Sequence, residues 1–140
     1  MANSIQYAKT QATPITKLDT NELGGRVRMA FAEYEAATEQ STITMFSLPN
    51  GARLLSGAVS HDALNSSTTL SVGYAAHTKA DGTAQALDVD EYKAAAASTS
   101  ATSSDVLVTM ALGKNSVLDA NEDGVPITVT LAGADGAGTI

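Results

Sequence analysis

The chain has 140 residues, 8 Lys and Arg against 15 Asp and Glu, a net charge of −7 at neutral pH, and no Cys or Trp. That length suits one domain, the acidic balance argues against a nucleic-acid partner, and without cysteine there is no disulfide, thiol catalysis or usual zinc site. No apolar run reaches the roughly 18 residues of a membrane span, and the N-terminus lacks a signal-peptide core, so no membrane partner is expected.

In chain order, residues 1–24 set isolated Ile5, Tyr7, Ile15 and Leu18 among small and polar residues, with Pro14 interrupting any strand. This stretch reads as an extended N-terminal arm, and Gly24-Gly25 hinges it to a single sandwich domain over 25–140. Val27, Met29 and Phe31 alternate with other residues as a strand does. Residues 42–48 and 52–59 read as two more strands, separated by the turn signal Pro49-Asn50-Gly51. Leu70, Val72 and Tyr74 repeat the period of two.

Residues 88–97 break that pattern. Asp88 and Glu91 are spaced as a capping box, and Tyr92-Lys93-Ala94-Ala95-Ala96-Ala97 follows with strong helix formers, so one short helix is expected there. Strand alternation returns at Val106, Val108, Met110 and Leu112, and most cleanly at Val125, Ile127, Val129 and Leu131. A turn follows at Gly133-Ala134-Asp135-Gly136, and Gly138-Thr139-Ile140 opens a last strand that is either very short or cut. Ala, Ser and Thr supply about 40% of the chain, which means thin layers and few bulky core residues. The fold class expected is all-β, a jelly-roll or Greek-key β-sandwich.

Charge is unevenly spread. Residues 1–60 sum to zero and hold all three arginines, Arg26, Arg28 and Arg53, while residues 61–140 carry the whole −7. Arginine is the cation enriched at protein interfaces.

Few residues invite chemistry. Asp119, Asn121 and Asp123 before Gly124 match the first half of a calcium loop, but Thr130 stands where the bidentate Glu belongs, so no metal is expected. His61 and His77 lack the spacing of a triad, and no serine sits in a nucleophile elbow. Glu33 with Glu35, and Asp88 with Asp90 and Glu91, have sufficient structural explanations as a strand face and an element start. Gly24-Gly25 and the 133–138 stretch lack the context of a phosphate loop, and Asn65-Ser66-Ser67 is a sequon best read as a turn. The expectation is a protein with no catalytic residues and no cofactor.

Three stretches carry a resemblance: Leu48-Pro49-Asn50-Gly51-Ala52-Arg53-Leu54-Leu55-Ser56-Gly57, then Ala63 to Gly73 (ALNSSTTLSVG), then Tyr92 to Thr99 (YKAAAAST). Together with Leu23-Gly24-Gly25-Arg26-Val27-Arg28 and the closing Gly136 to Ile140, they resemble the capsid decoration, or cement, proteins of tailed bacteriophages. Tyr74 stands where an acidic turn residue would be expected, and the chain stops where relatives would continue an apolar strand. The resemblance implies a jelly roll on the outer surface of the virion head, assembled in the bacterial cytoplasm and bound to the major capsid protein. It further implies a homodimer or homotrimer that acts by binding alone. Ile5, Tyr7, Ile15, Leu18, Arg26, Arg28 and Arg53 are the expected contacts to the capsid or to a sister subunit. A competing expectation is a fibre or lectin-like module binding carbohydrate or a host receptor, which would draw on exposed tyrosines or calcium.

Overall fold

The computed structural model describes residues 8–9, 11–14, 26–39 and 41–140. Its strands are β1 (Glu35–Glu39), β2 (Thr42–Leu48), β3 (Gly57–His61), β4 (Thr69–Tyr74), β5 (His77–Thr78), β6 (Ala84–Gln85), β7 (Asp88–Ala97), β8 (Thr102–Val106), β9 (Val125–Ala132) and β10 (Gly136–Thr139). Every pairing between them is antiparallel, and the fold is all-β.

The strongest alternation in the sequence lies at the centre. β9 sits between β2 and β4 in a four-stranded sheet of order β2-β9-β4-β7. Its register places Leu131 opposite Leu70, Val129 opposite Val72 and Ile127 opposite Tyr74, so the apolar faces of β9 and β4 coincide. On the β2 side, Ile43 faces Val129, a bulge follows Thr44, and Phe46 and Leu48 then face Ile127 and Val125. The bulge restores the inward direction that a plain alternation would lose.

The remaining strands pair as β1-β10, β3-β8 and β5-β6. Residues following β3 tie two of these pairs together, because Asp62 N donates to Thr139 O at 2.9 Å and Ala137 N to Leu64 O at 3.1 Å. Ala36, Val59 and Ile140 from this side join Leu64, Leu70, Tyr92, Ile127 and Leu131 in one hydrophobic core. The Pro49-Asn50-Gly51 turn is present, with Gly51 at φ +75 and Gly51 N bonded to Leu118 O.

Five expectations are corrected. Residues 88–97 form no helix: they are the ten-residue edge strand β7, with Thr69 opposite Ala97 and Leu70 opposite Ala96. The open edge of β4 offers ladder hydrogen bonds and burial for Tyr92, which outweigh a helix propensity worth only tenths of a kcal/mol per residue. Gly73 permits the approach, since a Cβ there would lie 2.0 Å from the Asp88 carbonyl oxygen. The expected capping interaction survives as an Asx turn, with Asp90 N donating to Asp88 Oδ1 at 3.2 Å.

Residues 27–31 belong to no strand, because among the described residues nothing pairs with them. The expected strand at 106–112 ends at Val106: Leu107 takes a left-handed φ of +58, and Met110–Leu112 is a 3-10 turn closed by Gly113. The expected strand at 52–59 is confined to Gly57–His61, preceded by an isolated bridge from Arg53 to Val117. In the expected arm, Ala8, Lys9 and Gln11 are helical, and Ala12 N donates to Lys9 O at 3.3 Å.

Candidate docking surface

A run of strongly exposed apolar residues lies just before β1. Val27, Met29 and Phe31 are 82%, 92% and 80% exposed, and Arg26 and Arg28 beside them are exposed too. Tyr34 and Ile140 exchange both main-chain hydrogen bonds, at 3.0 and 2.9 Å, with Glu35 opposite Thr139 next along the ladder. Among the described residues, Tyr34 is where this ladder begins. Among the described residues, 26–33 make no main-chain hydrogen bond. The segment thus combines the alternation of a strand with unsatisfied donors and acceptors, which is the template that strand addition uses.

A second exposed apolar group lies on the loops. Leu54 N bonds to Ser116 O and Asn115 N to Leu54 O, beside the Arg53–Val117 bridge, so Leu55 and Val117 lie on the two facing loops. Both are exposed, as are Leu87, Val108 and Met110. Arg53 is half-buried here and donates Nη1 to Asn115 O at 2.7 Å, so it locks the two loops together. Ile5, Tyr7, Ile15 and Leu18 lie outside the described residues.

The half calcium motif is occupied by its own turn. Asp119 Oδ1 accepts from Ala80 N, Asn121 Oδ1 accepts from Asp123 N, and Asn121 Nδ2 donates to Asp123 Oδ2 at 3.0 Å. Gly124 closes the turn at φ +79, pressed against Leu48 O. Among the described residues no three His, Asp or Glu side chains converge on a metal position. An open hollow of about 420 Å³ beside this turn is lined by Asn50, Ala80, Ala120, Asn121 and Glu122.

The titratable groups hold structural positions. His61 Nδ1 lies 2.7 Å from the Asp62 carbonyl oxygen, while Asp62 Oδ2 accepts from Thr139 N, so the neighbouring carboxylate does not orient the ring. His77 Nδ1 lies 3.0 Å from Ala75 O, and its ring stands edge-on to Tyr74. Glu35 accepts from the Thr139 hydroxyl, apart from any work with Glu33. Burial, followed by the neighbouring Asp88 and Asp90 charges, raises the Glu91 carboxyl. Burial chiefly raises the Tyr92 phenol as well.

No helix of the described residues is long and apolar enough to cross a membrane. Searches of protein-family models, curated proteins and solved structures find no significant match to this chain.

Sequence reasoning singled out Arg26 and Arg28 but assigned Val27, Met29 and Phe31 to a paired strand.

Proposed function

We propose that the protein is a non-enzymatic virion component, a jelly-roll decoration protein that binds the outside of a tailed-phage head and holds adjacent major capsid subunits together. The observation that carries this reading is the unpaired, apolar and basic segment 26–31 set against a tightly packed β core. Such a body offers adhesion, and Glu35, Asp62, Asp81 and Asp119 each accept a hydrogen bond that holds a turn or strand.

The residues that resemble decoration proteins have framework roles. Leu64, Leu70 and Val72 are buried, Ser98 bonds Thr68 O through both its amide and its hydroxyl, and Gly136–Thr139 forms β10. The resemblance therefore speaks for the scaffold, and the exposed segment speaks for its use. Binding repeated at every equivalent position of a shell opposes separation of its subunits, and linked sites gain from effective concentration.

The test is to incubate the purified chain with expanded heads that lack it and to measure bound copies against free concentration. Saturation at a fixed number of copies per head, lost in Phe31→Arg, supports the reading. Absence of binding to heads, or specific retention on a glycan array instead, overturns it in favour of a carbohydrate-binding module.

A further inference from the structure

We propose that Asn50–Gly51 is a self-modification site, where Gly51 N closes on the Asn50 carboxamide to give a succinimide and then aspartate or isoaspartate. Pairing of this turn with residues 118–120 holds the step in check.

The sequence supplies the reactive pair. A succinimide forms when a main-chain nitrogen attacks the side-chain Cγ of the preceding asparagine, and glycine, with no side chain, hinders that attack least. Of the asparagines in the chain, Asn50 alone precedes a glycine; Asn65 and Asn115 precede serines. The bonds balance with water as the only reagent. Gly51 N loses its proton to solvent base and bonds to Asn50 Cγ, the Cγ–Nδ2 bond breaks, and ammonia leaves. Water then opens the ring, at Cγ to leave aspartate or at the main-chain carbonyl to leave isoaspartate.

The fold holds the two reacting groups apart. Ala52 N bonds to Pro49 O at 3.3 Å, and Gly51 has φ +75 while Asn50 keeps a negative φ, so 49–52 is a type II turn. At the type II ψ of about +120° for Asn50, Gly51 N swings away from the Cβ that carries the carboxamide. Gly51 N donates instead to Leu118 O at 2.9 Å, and Asn50 Oδ1 accepts from Ala120 N at 3.3 Å. Nucleophile and electrophile are thus tied to two residues of one segment, both of them buried. Leu118 N to Ala52 O and Leu54 N to Ser116 O continue the pairing. Attack needs a close, aligned approach that these bonds prevent, so it proceeds from an opened ladder.

Asn50 is exposed and lines the hollow beside the 119–124 turn, which gives water access to the ring. The isoaspartate product does not fit the ladder, because it adds a methylene to the main chain between residues 50 and 51 and puts Gly51 N out of step with Leu118 O. Either product makes the net charge of −7 more negative by one.

The test incubates the full chain at mildly alkaline pH, folded and in guanidinium chloride, and follows each asparagine by peptide mass spectrometry with isoaspartate detection. In denaturant, Asn50 is expected to convert faster than Asn65 and Asn115. In the folded chain its conversion is expected to be at least about tenfold slower than in denaturant. Hydrogen exchange of the Gly51 amide reads the same opening, so its protection should be of the same order as that slowing. Equal conversion of Asn50 in the folded and denatured chain overturns the proposal, as does conversion in denaturant no faster than at Asn65 and Asn115. A Gly51 amide that exchanges freely while Asn50 stays intact also overturns it, because the bond to Leu118 would then not be the restraint.

Discussion

Thr128 shows how much a single side chain can weigh in a thin sheet. It lies on β9 opposite Gly73 and Thr44, is fully buried, and its hydroxyl is the buried side-chain polar atom without a hydrogen-bond partner among the described residues. A desolvated, unpaired hydroxyl costs on the order of 1–3 kcal/mol, and valine has the same shape without it. Thr128→Val is therefore expected to raise stability by about 1 kcal/mol, seen as a higher urea midpoint with an unchanged slope. Glu91 makes the opposite kind of demand. Its carboxyl is raised, first by burial and then by Asp88 and Asp90, so the folded chain holds that proton more tightly than the unfolded chain does. The sign follows from linkage: the cost is fully present above the raised folded pKa and fades as pH falls through it toward the ordinary value of 4.5. Glu91→Gln should stabilise the protein in denaturant titrations at neutral pH and make no difference near pH ~3.5. A stabilisation that persists unchanged in acid would refute this account.

At the scale of elements, β7 was the least legible from sequence. Its alanines are exposed at the edge of the sheet, where a small side chain neither packs nor clashes, so local propensity gives no sign of the strand. Ala97→Thr sets a β-branched residue opposite Thr69 and should stabilise by about 0.5 kcal/mol; a helical residue 97 would instead be weakened by that change. The elements that could be read directly, 42–48, 70–74 and 125–131, are those in which large apolar residues alternate with Ser, Thr or other small residues. Residues 27–31 gave the same signal with no partner behind it. Periodicity reports which face a segment presents, and pairing depends on what lies opposite in space. In the calcium half-motif, Asn121 and Asp123 bond within their own turn, while Asp119 Oδ1 accepts from Ala80 N. The segment 26–31 was legible as residues and illegible as an exposed surface, because alternation alone does not show what lies opposite it.

For the molecule as a whole, long-range pairing decides the arrangement. β1 and β10 meet although they lie at opposite ends of the described domain, and β9 inserts between β2 and β4. Such topologies close large loops before their contacts form, so they fold slowly compared with helical proteins of similar size. The exposed apolar segment stays outside that order, continuous with the strand that seals one side of the core. Substitutions at exposed Val27, Met29 or Phe31 are expected to spare the fold, and substitutions at Leu64, Leu70 or Leu131 to destabilise it.

The β1–β10 pairing also sets how the protein bears tension. A pull on residues 26–33 enters β1 at Tyr34, beside Ile140, while the opposite end of β10 is anchored at Gly136 near Glu39. Tension along the strand axis loads the β1–β10 hydrogen bonds together, as a lap joint carries shear. Tension at right angles to it opens the Tyr34–Ile140 pair first and the rest one after another, as a zipper. The same few bonds are thus strong in one direction and weak in the other. A swelling shell stretches within its own surface, so a docking strand lying flat on that surface would be loaded along the direction in which it yields last.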